Sequence, residues 1–262
     1  MHPELLHLGP LHLRSFGGMM ALAFLVGTWV SLREARRLKL DEDGLVNVIL
    51  VALLAAVVGA RGLYVIEHID EFRRSWGGVL ALWDGGLTLY GGLVAGTFAG
   101  LMMASRVGLP RWLVADAVTP ALALGTMFGR VGCFLNGCCY GRPTRLPWGV
   151  KFPPASFASL EFGDTPVHPS QLYNAAAGLL LFAVLFGLRR RFRSPGVLFW
   201  TFLVAFALVR IPIDMTRTYE PSAVLLRGPI ELTESQATSL AMALFGLLMI
   251  VRLKREAAAP GA

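Results

Sequence analysis

The chain has 262 residues, 55% hydrophobic and only 16% charged, with a mean hydropathy of +0.60. That composition excludes a disordered chain and argues against a water-soluble fold. Its 24 cations outnumber 17 anions, but at this hydropathy the excess suits anionic lipid headgroups, which guanidinium grips bidentately, and not nucleic acid.

At about 20 residues per spanning helix, the length holds six to eight transmembrane helices and leaves little for a separate soluble domain. The expected fold is therefore an all-α integral membrane protein, a single domain over 1–262. The first 15 residues alternate Leu and His and carry no basic stretch before a cleavable apolar core, which predicts an arm on the membrane surface and not a removed signal peptide. Seven apolar stretches follow at 16–32, 45–69, 85–103, 113–131, 169–188, 196–215 and 238–251. Residues 136–167, rich in Pro and Gly, read as a long loop on the outer face. The Ala/Pro-rich residues 256–262 read as a disordered tail.

The connecting charges set an orientation. Thirteen cations, including Arg33, Arg36, Arg37, Arg189, Arg190, Arg191 and Arg193, fall on one side and eight on the other. By the positive-inside rule the N-terminus lies outside and the C-terminus in the cytoplasm.

Charged groups within apolar spans are costly and mark functional candidates. Arg61 lies in the second stretch, Arg130 ends the fourth, and Arg210, Asp214 and Arg217 end the sixth. The i, i+4, i+7 spacing of the last three places two cations and a carboxylate on one helix face, either as a clamp that orders the bundle or as part of a site. The stretch WDGGLTLYGGLVAG from Trp83 to Gly96 carries dense glycines. Gly96 and Gly100 suit helix packing, whereas Gly85–Gly86 and Gly91–Gly92 suggest a broken, cavity-lining helix end. All three cysteines, Cys133, Cys138 and Cys139, lie in GRVGCFLNGCCYGRPT. Their spacing matches no zinc pattern, so no metal is expected, and it leaves small-residue packing or a disulfide open.

WDGGLTLYGGLVAG, GRVGCFLNGCCYGRPT, HPSQLYN and VRIPIDMTR, in this order and spacing, resemble the bacterial prolipoprotein diacylglyceryl transferases over nearly the whole chain. The resemblance implies seven transmembrane helices in the bacterial cytoplasmic membrane and no cofactor. It also implies transfer of the diacylglyceryl group of phosphatidylglycerol, or another anionic phospholipid, to the lipobox cysteine thiol of a secreted preprotein.

By position, Arg130 and Arg210 match the family's headgroup arginines. Arg61, Asp84, Asn136, Gly141, His168, Gln171 and Tyr173 match its substrate-binding positions, to which Gly91, Gly92 and Arg217 are added as neighbours. The resemblance also exposes departures. The family has a histidine where this chain has Tyr90, an asparagine at Cys133, a glutamate at Cys138, a tyrosine at Phe16 and a glutamate at Asp214. Tyrosine, with an ordinary pKa near about 10, is a poor general base at neutral pH. Tyr90 and Asp214 are accordingly carried as divergent members of the catalytic set, with the three cysteines as cavity-lining or redox groups. Three readings stay open: a divergent diacylglyceryl transferase, a same-fold transferase with another acceptor or acyl-thioester chemistry, and a non-catalytic phospholipid-binding protein. A transporter is disfavoured because no inverted repeat is visible.

Overall fold

The computed structural model describes residues 4–8, 11–73, 76–81, 85–154, 156–218, 224–226 and 232–258. Its long helices are α1 (Ser15–Leu38), α2 (Glu42–Glu67), α4 (Leu89–Arg106), α5 (Arg111–Asn136), α7 (Ser170–Leu188), α8 (Val197–Asp214) and α9 (Glu234–Ala258). The short α3 (Ile69–Phe72) and α6 (Phe157–Phe162) interrupt the connections. Of these, α1, α2, α5, α7, α8 and α9 are long and apolar enough to cross a membrane. The protein is thus mostly helical, with large apolar side chains such as Leu54, Val58 and Leu248 exposed along its helices, as lipid contact requires and water would not favour.

Helix α4 falls short of the other six because Gly91, Gly92, Gly96 and Gly100 dilute its apolar surface and Arg106 ends it. It also starts later than the stretch 85–103 suggests. Gly85 and Gly86 have positive φ values of 85° and 72°, a left-handed backbone that cannot belong to a right-handed helix. The helix begins only after Thr88, whose N–H binds the Ala60 carbonyl at 3.0 Å.

The chain divides into two compact units, residues 32–117 and residues 1–31 with 118–262. In the first, α2 and α4 pack backbone to backbone. A Cβ on Gly92 would lie 3.1 Å from the Ala56 carbonyl oxygen and one on Gly96 3.0 Å from that of Ala52, while one on Gly91 would overlap the Gly59 carbonyl. Small residues permit that approach, and close dispersion contact replaces the hydrophobic effect that lipid does not supply. Asp41 caps α2, its carboxylate accepting from the Gly44 N–H at 2.9 Å.

In the second unit, Ala123 of α5, Leu181 and Leu185 of α7, and Leu198 and Phe202 of α8 form a buried cluster. Trp200 of α8 meets Phe245 of α9 edge to face at 5.3 Å. Pro120 and Pro212 sit inside α5 and α8, each removing a backbone donor from the helix ladder. A T-x-x-Q capping box starts α9: the Thr233 hydroxyl accepts from the Gln236 N–H and the Gln236 side chain from the Thr233 N–H, both at 3.2 Å.

The structure adds detail to three of the segments outside the spans. The arm contains strands β1 (Glu4–Leu8) and β2 (Leu11–Arg14), paired antiparallel, so its Leu/His alternation is the period of a strand. Residues 137–167 are not a plain loop. Val150 and Val167 exchange backbone hydrogen bonds at 3.0 Å, α6 is capped by Ser156, and Phe152, Ala158 and Val167 are buried together, which makes a small folded cap. Residues 256–258 belong to α9, where Glu256 pairs with Arg252 one turn earlier at 2.7 Å.

Candidate active site

Helix α5 ends in a Schellman motif. The Cys138 N–H reaches back to the Cys133 carbonyl at 3.1 Å and the Gly137 N–H to that of Phe134 at 3.2 Å, with Gly137 left-handed at φ 74°. This motif brings the residue after the glycine onto the last helical turn, and here both partners are cysteines. Cys139 then takes φ 61°, uncommon for a residue with a Cβ, and the three sulfurs lie within 4.8 Å of one another. Cys139 lies outside the membrane-spanning helix. Its thiol is held below the usual value by hydrogen bonds from Cys133 and Cys138 and then by the guanidiniums of Arg217 and Arg130. Asn136, the last residue of α5, also hydrogen-bonds Cys138.

Arg130 lies one turn before this cluster, half-buried. Among the described residues its guanidinium makes no hydrogen bond or salt bridge. Arg210, Asp214 and Arg217 do share a face of α8 and its end. Asp214, 2% exposed, pairs with Arg210 at 3.2 Å and with Arg217 at 3.9 Å. Ser235 at the start of α9 donates to Asp214 at 2.5 Å and accepts from Arg210 Nε at 2.9 Å. Among the described residues the hydrogen bonds of Arg210 run through Nε, which leaves its two terminal nitrogens for another acceptor. Ser235 was missed from the sequence. The capping box in Thr233–Gln236 was the available signal, since it fixes where α9 begins and hence what meets Asp214.

The cap holds this constellation in place. Gly141 donates to the His168 carbonyl at 2.9 Å, and Arg142 donates through its backbone to Thr216 and through Nε to the Arg217 carbonyl. A Cβ at Gly141 would overlap Ser170 and Thr216, so this position requires glycine for close approach and not for ligand contact. His168 Nδ1 lies 3.2 Å from the Tyr173 hydroxyl, which also accepts from Trp148. Gln171 is fully buried and donates to the Cys138 carbonyl at 2.7 Å, and its Oε1 has no partner among the described residues. A buried acceptor so placed calls for a donor from water or a ligand. Tyr140, on the cap, donates to Glu161 at 2.5 Å. Burial and then this hydrogen bond push its phenol up to about 12.

The remaining predicted residues lie in the other unit. Arg61 is buried and donates to four backbone carbonyls: Nε to Val79, Nη1 to Gly85 and Gly86, and Nη2 to Gly78, at 2.5–2.9 Å. Its ring neighbours are Tyr64 and Phe72. It therefore orders the glycine loop and is not a free anion ligand. A Cβ at Gly86 would strike Arg61 and Tyr64 at 2.5 Å. Gly91 and Gly92, expected to line a cavity, are spent on packing against α2. Tyr90, in the first turn of α4, has 68% of its surface exposed. Asp84 lies outside the described residues.

The family profile described as prolipoprotein diacylglyceryl transferase matches residues 3–252. The chain belongs to the prolipoprotein diacylglyceryl transferase family. Among its relatives named phosphatidylglycerol–prolipoprotein diacylglyceryl transferase, that of Geobacter sulfurreducens is 35% identical, the alignment covering 98% of this chain and 97% of the relative. That of Rhizobium leguminosarum is 34% identical over 98% and 93%, and that of Trichormus variabilis 33% over 97% and 91%. Within this member of the prolipoprotein diacylglyceryl transferases, the described residues link Arg130, Cys139, Arg217, Asp214 and Arg210 by successive contacts or charge interactions.

Proposed function

We propose that the protein is a transferase that moves the diacylglyceryl group of phosphatidylglycerol to the lipobox cysteine of a prolipoprotein, in the bacterial cytoplasmic membrane. The observation that carries this reading is Arg130: a half-buried guanidinium in the last turns of a membrane helix, near the Cys139 thiol but with no hydrogen bond or salt bridge among the described residues. A partly desolvated arginine without a hydrogen-bonded acceptor is costly, and a phosphodiester supplies both negative charge and oxygens that match the guanidinium fork. Arg210 offers its terminal nitrogens to the same headgroup, while Asp214 and Ser235 hold its Nε.

The chemistry is displacement at the sp3 glyceryl carbon. The acceptor sulfur, as thiolate, forms the C–S bond while the C–O bond to phosphate breaks, and glycerol phosphate leaves with the electron pair. Charge builds on the departing phosphate oxygen, where guanidiniums fixed in a water-poor site stabilise the transition state more than the ground state. Attack by one of the enzyme's own cysteines would leave a stable thioether, so the three thiols are not nucleophiles in this reaction.

The reading also assigns a single integral membrane domain with seven spans, α4 supplying the third. At 18 residues and about 1.5 Å per residue it nearly covers a hydrocarbon core of about 30 Å. Incubating the detergent-purified protein with labelled phosphatidylglycerol and a lipobox peptide tests the assignment by mass spectrometry. A peptide carrying a diacylglyceryl thioether, with glycerol phosphate released, is the expected result. Acylated enzyme would instead indicate thioester chemistry, and bound lipid with no product a phospholipid-binding protein; either outcome rejects the proposal.

A further inference from the structure

The three cysteines take no part in the transfer step derived above, yet the backbone at Gly137 and Cys139 adopts two left-handed conformations that bring them together. One of those, at a residue with a Cβ, is strained, and such strain persists where the surroundings impose it. We propose that Cys133, Cys138 and Cys139 bind one thiophilic d10 metal ion, Zn2+ or Cu+, through three thiolates.

The geometry needs little change. Metal–sulfur bonds of about 2.3 Å place three ligands in a trigonal set about 4 Å apart, and the sulfurs already lie within 4.8 Å. Thiolates select these two ions over hard cations. Uptake releases the proton of each thiol that is not already ionised and requires no oxidant or reductant. Three thiolates with Zn2+ carry a net charge of −1, and with Cu+ of −2. The guanidiniums of Arg130 and Arg217, both close enough to interact with Cys139, offset that charge. The helix-end motif and the Gln171 bond to the Cys138 carbonyl preorganise the ligands, which lowers the ordering cost of binding.

A zinc ion with three protein ligands keeps a fourth position, and a thiol that coordinates there is deprotonated outright. Beside Arg130, that position is suited to the lipobox thiol and supplies the activation that Tyr90 is poorly fitted to give. This second step rests on the transferase reading, whereas the metal site itself does not.

The test uses the full-length protein in detergent, reduced, chelator-treated and dialysed against Zn2+ or against Cu+ under reductant, with bound metal measured by elemental analysis. One ion per chain is expected with one of the two metals, and its loss in Cys133→Ser, Cys138→Ser and Cys139→Ser variants that elute as the parent does. No uptake of either metal by the reduced protein overturns the site, as does stoichiometric binding that survives all three substitutions. If intact-mass analysis before reduction shows a disulfide and reduction restores no metal binding, the cluster is a redox pair instead. For the second step, the zinc-loaded protein is exposed to a chromogenic chelator with a lipobox peptide or its serine analogue. Slower zinc release with the thiol peptide alone is expected; equal release with both rejects thiol capture while leaving the site intact. Failure of the alkylation assay with normal zinc stoichiometry rejects the transferase reading and not the metal site.

Discussion

Arg130 and Arg210 differ in what holds them, and the difference separates their mutational effects. Arg210→Ala removes one of two cations from a carboxylate that is 2% exposed, so it should cost stability, on the order of 3 kcal/mol for a broken buried pair, as well as lipid binding. Arg130→Ala breaks no hydrogen bond or salt bridge among the described residues and should leave the thermal midpoint near that of the parent. It should still weaken phosphatidylglycerol binding by about 10–100-fold, the worth of a hydrogen-bonded charge. Arg130→Lys should recover part of that, because an ammonium supplies charge without the fork. Unfolding scans and binding of labelled lipid in detergent report the two quantities separately, and equal loss of stability in both alanine variants would contradict the assignment. The arginines and Asp214 were legible because an i, i+4, i+7 row of charges in an apolar helix is visible in one segment. Ser235 was not, since it lies 21 residues from Asp214 and only the start point of α9 brings it there. The clustering of Cys138 and Cys139 over Cys133 was likewise hidden in a helix-end geometry that spacing alone does not state.

Helix α4 and the cap show where reading by element succeeds and where it stops. Dense glycine between Gly85 and Gly96 signalled close backbone approach, but the same residue type serves two purposes here: left-handed turns at Gly85 and Gly86, and helix contact at Gly91, Gly92 and Gly96. Only φ and the facing helix tell them apart. Gly91→Val should therefore separate α2 from α4 and lower the yield of folded protein, with an overpacking cost of about 1–3 kcal/mol or more. Gly85→Ala meets no neighbour within 4 Å among the described residues, so its expected penalty is that of the left-handed backbone, about 1–2 kcal/mol. Thermal unfolding of the two variants orders them, and a more stable Gly91→Val protein would refute the packing role. In the cap, the Pro/Gly content read as loop because its order comes from tertiary pairing of Val150 with Val167 and from a buried aromatic cluster. The Tyr140–Glu161 bond gives that cap a pH signature. A raised phenol pKa means that the neutral form is the one favoured by the fold. Its contribution is fully present below the ordinary value near about 10 and is lost as pH rises through about 12. Spectrophotometric titration should show a tyrosine ionising near that upper value. It should vanish in Tyr140→Phe and move down in Glu161→Gln.

At the scale of the whole molecule, composition alone identified a membrane protein, because lipid-exposed helices need apolar residues on every outward face and no solvent-facing polar stripe masks the signal. The six helices long and apolar enough to span coincide with six of the seven predicted stretches. The seventh, α4, is the element whose apolar surface is diluted by the glycines that let it pack. Orientation rests on charge: thirteen cations flank the spans on one side and eight on the other, and the larger group includes the run Arg189–Arg191 that follows α7. If α7 spans, the cap and the connection from α7 to α8 lie on opposite faces, since only α7 separates them. Inserting a recognition site for a sequence-specific protease at Gly163 should then give cleavage when the protease is added outside spheroplasts. The same site at Ser194 should be cut only in inverted vesicles or after permeabilisation. Because Gly163 and Ser194 lie either side of one helix, this pair fixes the absolute orientation of α7. A third site at Gly108, between α4 and α5, should share the accessibility of Ser194, as α5 and α7 together return the chain to the same face. Removing two of the cations at 189–193 should weaken the bias without changing which helices span. Cleavage at Gly163 and Ser194 from the same side would eliminate α7 as a transmembrane helix, and cleavage at Ser194 from outside in intact spheroplasts would reverse the topology.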